Sequence, residues 1–190
     1  MDRKTADLAR DHEFGVHLRD DFEANPPVND SKVGLIMGSR SDWPYVIPAA
    51  WMLNSLKIPF EYGVVSAHRT PKRMHTYTST AHLRGLRVII ACAGGSAHLP
   101  GMVASETLLP VLGVAPKKSD TDAVGSMIAM PSGKPLAYMG GGSDKFKNAG
   151  AVNAALQAAR ILALSDPLLS ERLHDYDSNL GADVPFTCSD

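Results

Sequence analysis

From Val33 onward the chain alternates short apolar runs with amphipathic stretches, and this rhythm limits the possible folds more than any other property. It is the βαβα signature of a parallel sheet covered by helices on both faces. The spacing predicts strands at about 33 to 37, 60 to 65, 87 to 93, 110 to 114 and 135 to 139. The expected architecture is a three-layer α/β/α arrangement on a parallel sheet of about five strands, flavodoxin- or Rossmann-like, with an extra helix at the C-terminal end.

The intervening stretches carry helix signals of their own. Ser41 or Asp42 can cap a helix that buries Val46, Ile47, Ala50 and Trp51 as one stripe. Thr70 followed by Pro71 reads as a cap and a first-turn proline, with Met74, Tyr77, Thr78 and Ala81 facing inward. A further helix begins near Pro100, and an Ala-rich one runs from about Lys147 to Leu164. Asp166-Pro167 opens another, to about His174.

At 190 residues and 44% hydrophobic, the chain can bury one sizeable core. Residues 1–31 are charged, weakly periodic and closed by Asn25-Pro26-Pro27-Val28-Asn29-Asp30, so they read as an accessory extension, partly helical. Residues 32–175 form the single α/β domain, and 176–190, with scattered Gly, Pro and Asp, form a loosely held tail.

A formal net charge of -1 gives no footprint for nucleic acid or an acidic membrane surface, so any anion site must be local. No apolar run approaches a membrane span. The N-terminus opens on charge, and its acidic residues do not suit a transit peptide. Cys92 and Cys188 match neither a disulfide framework nor metal spacing, which predicts a reducing, cytoplasmic setting.

Three loops at the carboxyl ends of expected strands carry the chemistry. In Gly38-Ser39-Arg40-Ser41-Asp42, small residues admit a ligand to the backbone, and hydroxyls and a helix N-terminus favour an anion. Asp42 can accept from sugar hydroxyls. Read alone, this loop is equally an ordinary capped βα turn.

In Ser66-Ala67-His68-Arg69-Thr70-Pro71 a proton carrier stands beside a fixed cation. The arginine fork suits a phosphate or carboxylate, and an imidazole both gives and takes protons at modest cost. In Gly94-Gly95-Ser96-Ala97-His98-Leu99-Pro100-Gly101, two glycines let main-chain amides face a flat ligand, and a second histidine follows. Each loop is a weak signal; their joint occurrence is the strong one.

Other residues read as structure. Gly140-Gly141-Gly142-Ser143 lacks the Lys-Ser/Thr pair of a P-loop and is expected to be a flexible connection bordering the site. His12, His17, His75, His82 and His174 have no carboxylate or cysteine at ligand spacing, so no metal is expected. Met127, Met130 and Met139 are gap fillers, and Cys92 is a buried thiol.

From Val33 to about Leu173 the chain resembles the class I N5-carboxyaminoimidazole ribonucleotide mutases, the catalytic-subunit type of bacterial purine-biosynthetic carboxylase. The resemblance rests on Met37-Gly38-Ser39-Arg40-Ser41-Asp42-Trp43, on Ser66 to Pro71, and on Gly94 to Met102. Arg69 and the His98-Leu99-Pro100-Gly101 ending look like the mutase class rather than the carboxylase class, which usually has lysine after the first histidine.

The resemblance implies that Ser39, Asp42 and Arg69 hold the ribose 5-phosphate portion, with Ser41, Ser66 and Ala67 nearby. Gly94, Gly95, Ser96, His98 and Leu99 would line the imidazole and carboxylate pocket, with His68 and His98 as the catalytic residues and His68 as the proton carrier. It further implies a homo-octamer and carboxyl migration from the exocyclic nitrogen to ring carbon C4 of a small ribonucleotide, with no cofactor.

The chain departs from the pattern at Ala115-Pro116-Lys117-Lys118-Ser119-Asp120-Thr121-Asp122, and at Gly140 to Lys147. Altered segments at 115–128 and 140–147 leave room for two alternatives. One is a paralogue carrying out carboxylation, decarboxylation or carboxyl transfer on a related heterocyclic ribotide; the other is a non-catalytic ribonucleotide-binding module.

Overall fold

The computed structural model describes residues 15–18, 30–116, 121–141 and 149–182. His12, Lys117-Lys118, Gly142-Ser143 and Cys188 lie outside those residues. Six strands form one sheet: β1 (Gly15–His17), β2 (Val33–Met37), β3 (Phe60–Val64), β4 (Val88–Cys92), β5 (Val111–Ala115) and β6 (Ala137–Gly141). Their order is β1-β3-β2-β4-β5-β6, and every neighbouring pair is parallel. The helices are α1 (Trp43–Ser55), α2 (Pro71–Thr80), α3 (His98–Glu106), α4 (Thr121–Ile128), α5 (Ala149–Ala163) and α6 (Pro167–Ala182), with a 3-10 turn at Arg40–Asp42 ahead of α1.

The sheet separates two apolar layers, as alternate residues of a strand must. Val33, Leu35, Met37, Ile90 and Cys92 face α1, α5 and α6, while Ile36, Ile89 and Ala91 face α2, α3 and α4. α5 approaches closely because its buried face is made of Ala151, Ala154, Ala155, Ala158 and Ala159, spaced at threes and fours. Gly150 serves the same approach, since a Cβ there would strike the Gly140 carbonyl.

The topology positions the site. The chain leaves β2 for β3 on one side and returns to β4 on the other, so a crevice opens outside the carboxyl ends of β2 and β4. The first and third loops of interest leave those two strands, and the second leaves the adjacent β3.

Several expectations are corrected. The extension expected to be partly helical contributes a strand: β1 pairs with β3, Gly15 opposite Phe60, and Leu18 is buried where a side chain at Gly63 would meet it. Trp51 is 51% exposed; α1 buries Trp43, Ala49 and Leu53 beside Val46, Ile47 and Ala50, and Trp51 lies about 100° beyond Ala50 on the flank of that stripe.

α3 begins at His98, two residues before Pro100, and α6 continues past His174 to Ala182. β6 starts at Ala137, beyond Pro135, and runs through Gly140 and Gly141, so those two glycines end a strand instead of forming a loop. No helix among the described residues is long and apolar enough to cross a membrane.

Candidate active site

The three loops converge on one cleft of about 480 Å³. Ser39, Ser41, Asp42, Ser66, Ala67, His68, Arg69, Gly94, Gly95, Ser96, His98 and Leu99 all line it, together with Gly38, Ala93 and Ala97. Those three were not among the expected site residues, although Gly38 and Ala97 lie within the loops that sequence singles out, because neither alanine nor glycine carries a polar group to assign a role to.

The first loop is organised by Ser39 rather than by Ser41 or Asp42. Ser39 Oγ accepts from the Ser41 amide at 3.4 Å and from the Ser41 hydroxyl at 3.0 Å, capping the 3-10 turn. Asp42 makes no side-chain cap bond to α1. Its carboxylate instead sits between two backbones: a Cβ on Gly38 would stand 3.6 Å from Oδ2, and one on Gly94 3.7 Å from Oδ1. Burial raises the Asp42 carboxyl above its ordinary pKa, against hydrogen bonds from the Ser39 and Gly38 backbone and the positive charge of Arg69. A buried carboxylate at the mouth of two glycine-bearing loops is fit to accept from ligand hydroxyls.

The second loop is a self-closed turn. The Ser66 amide donates to Thr70 Oγ1 at 3.0 Å, the Thr70 hydroxyl donates to the Ser66 carbonyl at 3.0 Å, and the Arg69 amide donates to Ser66 Oγ at 3.3 Å. Thr70 therefore closes the loop instead of capping α2 with its side chain. With the stem rigid, His68 and Arg69 are presented at the exposed tip. Arg69 Nη2 donates to the Gly38 carbonyl at 3.0 Å, tying the second loop to the first and leaving the rest of the guanidinium fork for a ligand.

The third loop turns through two left-handed residues, of which only Ala97 is strained. Gly95 has φ 59°, and Ala97, immediately before α3, has φ 47° and ψ 44°. An alanine in that left-handed region costs about 1–2 kcal/mol, and such cost is characteristic of sites that need a special geometry. The Ser126 hydroxyl, from α4, donates to the Ser96 carbonyl and lies 3.5 Å from that of Ala97.

The turn delivers His98 to the first position of α3, where His98 Nδ1 meets His68 Nε2 at 3.3 Å. The two rings are edge-to-face, centroids 5.2 Å apart and inclined at 80°. That contact requires one of the facing nitrogens to carry a proton and the other to lack it. The cleft thus has an anion-binding fork, a hydroxyl acceptor, a helix N-terminus, and two imidazoles within hydrogen-bond distance of each other.

The remaining histidines stand apart. His75, for which no carboxylate partner was expected, faces Glu106 at 3.5 Å on the outer surface of α2 and α3. Among the described residues no group of three His, Cys, Asp or Glu is placed to share a metal ion. Cys92 is fully buried at the end of β4, where burial and the nearby Asp42 push its thiol far up. Met127 is buried, and Met130 and Met139 pack against the two core layers.

The chain is similar to several known proteins. A family model described as AIR carboxylase matches residues 32–183. The N5-carboxyaminoimidazole ribonucleotide mutase of Pseudomonas aeruginosa is 49% identical over 150 residues, which cover 77% of this chain and 89% of that one. The mutase of the same description from Escherichia coli K12 is 45% identical over 151 residues, 78% of this chain and 86% of the relative.

The phosphoribosylaminoimidazole carboxylase of Schizosaccharomyces pombe is 46% identical over 162 residues, 84% of this chain; the matched part spans 28% of that longer protein. Among solved structures, Treponema denticola PurE superposes with a TM-score of 0.70 at 25% identity, covering 80% of this chain and 92% of that one.

Proposed function

Because the chain belongs to the AIR carboxylase family, we infer that it converts N5-carboxyaminoimidazole ribonucleotide to 4-carboxy-5-aminoimidazole ribonucleotide in purine biosynthesis, an isomerisation by intramolecular carboxyl transfer. The observation that carries the assignment to this cleft is the 3.3 Å contact of His68 with His98, between Arg69 and Asp42 on one side and the glycine loop on the other.

Arg69, with the Ser39 and Ser41 hydroxyls, takes the 5-phosphate, and Asp42 accepts from the ribose hydroxyls. Ser66 and Ala67 form the adjoining wall. Gly94, Gly95 and Ser96 offer main-chain amides to the imidazole and its carboxylate, and Leu99, buried at the base of α3, keeps that end of the cleft dry.

The reaction needs one proton and returns it. Protonated His68 delivers its proton to the exocyclic nitrogen as the nitrogen–carbon bond of the carbamate breaks, releasing CO2 into the cleft. The ring carbon C4 then attacks the CO2, forming the new carbon–carbon bond. His68, now neutral, removes the C4 proton, and the ring electrons return to aromaticity. A single imidazole acting as acid and then base closes the cycle without a cofactor. His98 shares the proton of His68 through the contact described and orients its ring.

The reading includes a cytoplasmic homo-octamer built from the single domain, expected at 32–175 but joined by strand β1 from the extension and continued by α6 to Ala182. Exposed Leu164, Leu168 and Leu180, on and beside α6, support self-association through that helix, and sedimentation of the purified protein reads the stoichiometry.

The deciding experiment supplies purified protein with N5-carboxyaminoimidazole ribonucleotide, and separately with 5-aminoimidazole ribonucleotide plus bicarbonate, and follows the C4-carboxylated product. Turnover of the first is expected to exceed that of the second. Absence of product from both would overturn the assignment.

A further inference from the structure

We propose that Ser126, outside the cleft, is a positioning residue that sets His98 against His68 by holding the strained turn before α3. The third loop reaches α3 through Ala97, a side-chain-bearing residue in a left-handed conformation that its Cβ disfavours. Something must over-determine that conformation for it to persist.

The loop's own bond, from the Ala97 amide to the Gly94 carbonyl at 3.1 Å, closes the turn, and the Ala97 carbonyl, at the N-cap, accepts the first bond of α3, so the Ser96 carbonyl is the one met from outside the turn. Ser126 supplies the partner: its hydroxyl donates to Ser96 and lies 3.5 Å from the Ala97 carbonyl. It does not line the cleft, so it reaches the Ser96 carbonyl from outside the site.

The anchor is stiff because α4 is wedged in place. Its next residue, Met127, is 1% exposed, and its sulfur fills the space over Gly113 of β5, standing 2.7 Å from where a Cβ would be. Across from it, the position a Cβ would take on Gly101 of α3 lies 3.1 Å from the Met130 sulfur and 4.0 Å from the Ser126 carbonyl. α3 and α4 are thus locked side by side at the point where Ser126 reaches back.

Release of the latch lets the Ala97 peptide relax toward the right-handed or extended regions, and His98, the next residue, swings with it. The 3.3 Å contact with His68 is the first thing lost. α4 lies outside the three recognisable loops, so the latch is set by a residue that those loops do not contain.

The test compares Ser126→Ala with Ser126→Thr, which keeps the hydroxyl, and with the double variant Ser126→Ala/Ala97→Gly. Glycine enters the left-handed region without steric cost and needs no latch. The first readout is the ring-to-ring NMR cross-peak of His68 and His98 in ligand-free protein. The second, which rests on the proposed mutase activity, is kcat and KM.

Ser126→Ala is expected to lose the cross-peak and to lower kcat roughly tenfold with little change in KM, the scale on which a lost hydrogen bond and a misplaced group act. Ser126→Thr retains both, and Ala97→Gly in the alanine background restores both. If the alanine variant does not fold, Ser126→Cys, a poor donor of similar volume, replaces it.

An unchanged cross-peak and kcat in the alanine variant overturn the proposal, as does a loss that glycine at 97 leaves unrestored. Should the wild type fail to turn over, the cross-peak alone decides, so failure of the activity and failure of the latch are told apart.

Discussion

Replacing Arg69 with alanine should convert a site for ribotides into one indifferent to the phosphate. The guanidinium carries five donors, of which one is spent on the Gly38 carbonyl at 3.0 Å, leaving the others free to meet a phosphate as a fork. A hydrogen bond to a charged group contributes about 1.5–3 kcal/mol, and the arginine is at an exposed loop tip, so a total of about 2–3 kcal/mol is reasonable. That is a loss of about 30- to 150-fold in affinity.

The same exposure predicts that folding stability changes by less than about 1 kcal/mol, because surface charges add little to it. The assay is calorimetric titration with 5-aminoimidazole ribonucleotide and with the corresponding riboside, which lacks the phosphate. Wild type should prefer the ribotide, and the variant should lose that preference by the stated factor while binding the riboside as before. Raising ionic strength should weaken the wild-type ribotide complex more than the variant's. An unchanged ribotide-to-riboside ratio would refute the phosphate role of Arg69, whatever else the substitution did.

His68→Asn should abolish turnover while leaving ribotide affinity within a few-fold of wild type; retained turnover would remove His68 from the mechanism. Asp42→Asn should weaken the ribotide about tenfold or more, as loss of a charged acceptor does. Because burial raises the Asp42 carboxyl in the folded state, its ionised form opposes folding, and that opposition is present at neutral pH and fades as pH falls and the carboxyl is protonated. Denaturant titrations should therefore find Asp42→Asn more favourable relative to wild type at pH 7 than at pH 4, and an equal difference at both would refute the argument.

Arg84→Met strands Glu61, which is fully buried and 2.8 Å from the guanidinium, and should cost about 3–5 kcal/mol of unfolding free energy; a loss under about 1 kcal/mol would show the pair to be dispensable.

The legible parts of the chain were those in which several residues repeat one signal. β2, β4 and β5 are uniformly apolar because both sheet faces are covered, and each lies within one residue of its expected bounds. All twelve residues singled out for the cleft do line it, because loops at the carboxyl ends of neighbouring parallel strands must meet.

Features carried by one or a few residues were not legible. β1 is three residues long, too short for any period to register, and exists because β3 offers it an edge. Trp51 is apolar by type but lies off the stripe that its own helix buries. Thr70, read as a cap, instead bonds back to Ser66, a choice set by loop closure and invisible to spacing. Ser126 looks like any serine on a helix; what distinguishes it is a turn thirty positions earlier in the chain.

The placement of β1 bears on solubility rather than chemistry. β3 pairs with β2 on one side, and without Gly15–His17 its other side would offer a row of unpaired amides and carbonyls beside the buried Phe60 and Tyr62. Such a margin is a template for any extended chain, including another copy of the same strand. Three residues from the accessory extension, with Leu18 set over Gly63, seal it. The extension thus acts as a gatekeeper for the sheet: a protein trimmed at Asp30 would keep every group of the cleft and yet be prone to precipitate along that margin.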